Sequence, residues 1–161
     1  MSLFGSQNDF KLLRKMNREI LQDIVQQEAV YYKLSLQDTE ANIYGEALTK
    51  NFYQPVIVNC LLTVNDQVVR SDDFGPDLFR NVSFAFLRDD LEDLQLVPEV
   101  GDIIMLYEKY FEVDVVRENQ FFFGRDDAYN YGRSTSYGES ISIICDTHLT
   151  RGDKLGITPM R

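Results

Sequence analysis

Two runs of alternating apolar and polar residues facing each other across a short turn leave a chain few folds to choose from. Residues 101–123 contain such a pair. The arms 103–107 and 110–116 flank Glu108-Lys109, and in the second arm Phe111, Val113 and Val115 alternate with Glu112 and Asp114. A period of two sends the first set to a buried face and the second to a wet one, so the segment reads as a hairpin with one core-facing side. Glu118-Asn119 can turn the chain again into a short strand at 120–123. A one-sided hairpin has to be covered, which makes the remaining strands the next question.

Three more are legible. Residues 56–64 are mainly aliphatic, with Thr63, and end at the turn residues Asn65-Asp66. Residues 79–87 place Val82, Phe84 and Phe86 on one face and Ser83 and Ala85 on the other. Residues 139–147 alternate Ile141, Ile143 and Cys145 with Ser140, Ser142 and Ile144. Between the first two, residues 70–78 read as a polar loop holding Asp72, Asp73, Gly75, Pro76 and Asp77. Asp89 with Glu92 spells a capping box for a short helix, with Leu91, Leu94 and Leu96 on its apolar side and Pro98 at its end.

Residues 8–34 lack Gly and Pro and read as one long helix capped by Asn8 or Asp9. Leu13, Met16, Ile20, Ile24 and Tyr31 form a stripe, widened by Leu21 and Val25, and Arg14, Arg18, Gln22 and Gln26 lie opposite. Such a stripe must lie against its own barrel or a neighbouring subunit. The organisation expected is a helix and connector over 1–54, a barrel domain over 55–148 and a polar tail over 149–161. Six short strands with one inserted helix give a mainly β fold, a small antiparallel barrel behind a long N-terminal helix.

Little in the chain suggests chemistry. His148 is the only histidine and is expected just past the last strand; no triad or metal-ligand spacing surrounds it. The acidic pairs match no cation-binding loop, and no phosphate-cradling Gly-rich loop occurs. Cys60 and Cys145 sit in apolar runs and read as buried thiols. Arg151-Gly-Asp153 reads as a chance tripeptide. No cofactor is expected, and the chain reads as non-enzymatic. The start, Met1-Ser-Leu-Phe-Gly-Ser, lacks the features of a signal peptide, and no apolar run is long enough for a membrane helix, so cytoplasmic synthesis is the expectation.

Charge is unevenly spread. The chain carries a net −10, while residues 1–34 hold five basic residues against four acidic ones. Residues 72–118 hold thirteen acids and four bases. That surface would repel phosphate, yet would suit a wall that DNA slides past without sticking. Tyr129, Tyr131, Arg133 and Tyr137 enrich one Gly-containing loop, 124–138, in residues favoured at protein contacts.

Several short motifs carry a resemblance. Glu28-Ala-Val-Tyr-Tyr-Lys33, Asn42-Ile-Tyr-Gly-Glu-Ala47, Tyr53-Gln-Pro55, Val97-Pro-Glu-Val-Gly-Asp-Ile-Ile104 and Tyr110-Phe-Glu-Val113 occur in that order. Over most of residues 8–148 the sequence resembles the neck proteins of contractile-tailed bacteriophages, which complete or close the head. The resemblance implies an SH3-like barrel and a ring of six copies around the DNA exit channel. It implies partners in the portal-side connector and in a tail terminator or tail-completion protein, with no membrane contact. The location implied is the virion neck, reached after synthesis in the host cytoplasm. Met16, Ile20, Ile24, Tyr31, Tyr129, Tyr131, Arg133 and Tyr137 are then candidates for subunit or ring contacts, and Asp72, Asp73 and Asp77 for an acidic loop at the channel. The competing readings are a tail-terminator or baseplate component, an acidic DNA mimic, and an enzyme with an unrecognised carboxylate pair.

Overall fold

A computed structural model describes residues 7–39, 50–65, 68–72, 75–118, 141–150 and 152. The connector motif at 42–47, Asp73, the strand expected at 120–123, the loop 124–138 and most of the tail lie outside the described residues. Helix α1 (Gln7–Glu19) runs into a π-helical stretch, Ile20–Val25. Strands β1 (Glu28–Tyr32), β2 (Val56–Val64), β3 (Val68–Asp72), β4 (Gly75–Phe79) and β5 (Asn81–Leu87) follow. Helix α2 (Arg88–Asp93) then leads to β6 (Ile103–Leu106), β7 (Lys109–Arg117) and β8 (Ser142–Thr150).

Six strands close into an antiparallel barrel in the order β1-β2-β5-β8-β7-β6. Its interior is filled by the inward residues of each strand, among them Val58, Cys60, Phe84, Phe86, Phe111 and Cys145. Phe84 meets Phe111 edge-on at 5.7 Å between ring centroids, a geometry that favours the ring quadrupoles. Leu91 of α2 joins the same cluster, so the short helix plugs the barrel rather than riding on it. A mainly β barrel with two helices is therefore the architecture, as the alternating runs predict.

The helix expected over 8–34 is present only in its first part, Gln7–Val25. It ends at Gln26, which takes a left-handed conformation (φ 47°) and donates its backbone N–H to the Leu21 carbonyl five residues back. Residues 28–32 instead form β1, the strand that joins β2 to β6 and closes the barrel. Ala29 and Tyr31 point into the core from it. A β-branched and aromatic run with period two suits a pleated surface, and two flanking partners outweigh a weak helical period. The barrel thus draws in residues well before position 55.

Smaller corrections share one cause, local pairing that composition does not reveal. The polar loop expected at 70–78 is the hairpin of β3 and β4, with Asp72 opposite Gly75 and Asp77 opposite Arg70. Asp89 does not cap α2; Leu87 occupies that position without a side-chain cap, and Asp89 pairs with Arg14. The turn of the central hairpin is Tyr107-Glu108, one residue earlier than expected, and both residues have positive φ (47° and 63°). That backbone matches the right-handed twist of the flanking strands. His148 lies within β8, opposite Glu112, and its Nδ1 is 2.8 Å from Asp114. β8 also takes up Leu149 and Thr150 from the expected tail.

β7 carries a bulge. Val113 pairs with Thr147 and Val115 with Asp146, so Asp114 is an extra residue in the ladder. One inserted residue reverses the facing of all that follow. Val115, expected inside, is 48% exposed, and Val116 packs against the core in its place.

Candidate assembly surface

The entrance to the central hairpin is built around a buried carboxylate. Gly101 has φ +92°, a conformation that a side chain would strain, and it delivers Asp102 into the wall of the barrel. Asp102 is fully buried. Its Oδ2 accepts from the Tyr31 hydroxyl at 2.6 Å and from the Glu99 backbone N–H at 2.8 Å, while Oδ1 accepts from the Leu34 N–H at 2.9 Å. Lys33 Nζ lies 3.2 Å from the same carboxylate and 2.7 Å from Glu99. The acid is paired and saturated with donors, which is what a charge inside a protein requires. Burial and the Asp102 charge both push the Tyr31 phenol far above its ordinary value, so it serves as a fixed donor. The Gly-Asp motif is thus a clasp tying the end of β1 to the start of β6.

That clasp decides the fate of one predicted contact residue. Tyr31 is 1% exposed and packs edge-on against Phe86 at 6.0 Å. It belongs to the core and not to the helical stripe.

The other stripe residues are on the surface. Arg14 pairs with Asp89, and Arg18 with Asp90 at 2.9 Å and with Asp93 at 2.6 Å. Gln22 Nε2 reaches Asp90 at 3.4 Å. The polar side of α1 is therefore the side that docks, onto the acids of α2. Only Leu21 anchors the π-helical stretch in a buried apolar cluster, with Leu87 and Ile141. Met16, Ile20 and Ile24 face outward together with Leu12, and Ile24 is 76% exposed. Contiguous apolar surface of this kind is uncommon on a lone soluble domain.

A groove of about 400 Å³ runs beside this stripe, between the helical arm and the outer wall of β2, β5 and β8. Ile20, Val25, Leu61 and Ile141 line it with Asn17 and Ser142, and no charged side chain among the described residues does. Leu61 and Leu12 were invisible as surface residues in the sequence, because an apolar residue in a strand or helix is assigned inward by default. Asp90 is the strained member of the docking contact. Burial raises its pKa against the opposing effect of Arg18, and its Oδ2 has no hydrogen-bond partner.

Of the remaining predicted residues, Asp72 and Asp77 stand on the two strands of one hairpin. Tyr129, Tyr131, Arg133, Tyr137 and Asp73 lie outside the described residues. Among the described residues no group of three or more His, Cys, Asp or Glu side chains could hold a metal ion. Nor is any helix among them long and apolar enough to cross a membrane.

No family model matches the sequence, and no curated protein matches it. Among solved structures the chain is similar to one in "Virion of native gene transfer agent (GTA) particle". That chain is 12% identical, with a TM-score of 0.43, over 76% of this chain and 93% of the other. At that identity and score the likeness assigns neither fold nor function.

Proposed function

We propose that this chain is a structural subunit of a tailed-phage neck, acting without enzymatic chemistry as one of six copies in a ring. The ring closes the filled head, offers the tail a docking surface and surrounds the channel through which DNA leaves. The observation that supports this most is the orientation of α1. Its ionic face is satisfied within the subunit, while Met16, Ile20 and Ile24 are left in solvent beside an apolar groove. A protein whose apolar face is reserved for a partner works as part of an assembly.

The sequence resemblance supplies which assembly. Its Val97–Ile104 motif is the stretch that carries the Asp102 clasp, so the matching residues are ones the barrel needs. Of the acids between positions 72 and 118, Asp89, Asp90, Asp93, Glu99, Asp102 and Glu112 are paired with basic side chains of the same subunit, so a phosphate-repelling channel wall rests on the others. In the neck the partners are the portal-side connector above and a tail terminator or tail-completion protein below.

Particle morphology after gene deletion tests the reading. Filled heads and separate finished tails that fail to join are expected. Missing or abnormally long tails would reject the neck and place the subunit in tail assembly.

A further inference from the structure

The helical arm and the barrel meet at a single residue. Gln27 belongs to the barrel: its carbonyl accepts from the Cys60 N–H at 2.9 Å, and its side-chain oxygen accepts from the Tyr107 hydroxyl at 2.7 Å. Gln26 beside it is left-handed, with φ 47°, and its N–H turns back to Leu21 inside the arm. The arm ends there in its π-helical stretch, Ile20–Val25, a rare geometry that recurs where a helix serves function. Among the described residues, no backbone hydrogen bond ties positions 7–25 to the barrel.

The ties that hold the arm down are mainly ionic. Arg14 pairs with Asp89, and Arg18 with Asp90 and Asp93, across to α2. Of residues 11–25 only Leu21 is buried, against Leu87 and Ile141. Part-exposed ion pairs are weak and are screened by salt, whereas an apolar barrel core is not. The docked arm also keeps Asp90 out of water, with its Oδ2 lacking a hydrogen bond, and its partners Arg18 and Gln22 both come from the arm. Undocking returns that carboxylate to solvent, so the seat itself favours release. We propose that the arm is a salt-sensitive lid. It swings away about Gln26 as a unit and uncovers the outer wall of the barrel at Leu87 and Ile141, while the barrel stays closed. Release of the arm is a property of the subunit alone and does not rest on the neck reading.

Thiol labelling tests it, because Cys60 and Cys145 are buried in the barrel core and report its opening separately. Full-length Leu21→Cys carries a thiol on the inner side of the lid. Ile141→Cys carries one on the seat beneath it, with the arm unaltered. Labelling by a neutral maleimide is followed by mass at fixed pH. Sodium chloride is raised from about 0.1 M to about 1 M, which shortens the screening length from about 10 Å to about 3 Å. Both introduced thiols are expected to label about tenfold faster at the higher salt, the shift that three screened pairs of this kind supply together. Adding Arg14→Gln and Arg18→Gln to either protein should give the fast rate already at low salt. Cys60 and Cys145 should stay unlabelled throughout. A rate at Ile141→Cys indifferent to salt, or to loss of the two arginines, would overturn the proposal. So would labelling of the native thiols in step with the introduced ones, which would mean that the whole barrel opens.

Discussion

The Tyr31 hydroxyl donates to Asp102 Oδ2 at 2.6 Å from a position 71 residues earlier in the chain, and both side chains are buried. Removing the acceptor strands the phenol and two backbone N–H groups, while the Lys33 ammonium keeps Glu99 and the Val97 carbonyl. Asp102→Ala should therefore cost about 3–5 kcal/mol in urea unfolding, the range for breaking one side of a buried ionic contact. Tyr31→Phe removes one bond and should cost about 1–3 kcal/mol. A loss from Asp102→Ala no larger than that from Tyr31→Phe would show that the clasp does not hold the hairpin.

The β7 bulge makes neighbouring valines opposite in consequence. Val113→Asp puts an unpaired charge in the core and should abolish cooperative unfolding, as should Phe111→Asp. Val115→Asp, on the turned-out side, should change stability by no more than about 0.5 kcal/mol. Glu112→Ala gives up a part-buried pair with Lys50 at 2.7 Å and should lose about 1 kcal/mol or less. Circular dichroism melts of the four variants check the register; equal damage from Val113→Asp and Val115→Asp would remove the bulge.

Burial pushes the Cys60 and Cys145 thiols up to about 12. At pH 8 the thiolate fraction is then roughly one part in ten thousand, and the thiolate is the reactive form. Native protein should consume no thiol reagent over hours, whereas urea-unfolded protein should consume two equivalents within minutes. Rapid labelling of the native protein would show that the barrel opens locally at these strands.

Asp90 has a folded pKa above its unfolded one, so the folded state binds its proton more tightly. Its contribution is fully present below the unfolded value, about 4, and is lost as pH rises through the folded pKa. Relative to Asp90→Asn, the wild-type protein should gain stability on acidification from neutral pH towards about 4. Unfolding midpoints of the two proteins across that window should diverge; parallel curves would mean that the carboxylate is not desolvated.

The strands with clean alternation were the legible part of the fold. β2 carries the expected boundaries, and in β5 Val82, Phe84 and Phe86 face the core as their spacing predicts. β1 was hidden because Ala29-Val-Tyr-Tyr32 satisfies a helical stripe as well as a strand, and only the partners on both sides decide between them. Val115 was misplaced because a bulge has no compositional mark when the inserted residue is an ordinary Asp. At the surface, Met16, Ile20 and Ile24 could be picked out as a stripe, but not as the outward one. An amphipathic helix is assumed to dock by its apolar side, and here Arg14 and Arg18 have acids on α2 to dock against. Asp102 stood within a quoted motif, yet nothing in a lone Gly-Asp pair announces four donors converging on one carboxylate.

The placement of β1 also has a kinetic side. This strand is the first of the barrel to be synthesised, but its β6 partner emerges about seventy residues later, and the clasp needs both. Pairings so distant in sequence pay their loop-closure entropy before any contact repays it, and such topologies fold in milliseconds to seconds rather than microseconds. An isolated pair of β1 and β2 is marginal in water, so it gains lasting partners only when β6 and β5 are in place beside it. The barrel can therefore close only once β8, which ends at Thr150, has been made.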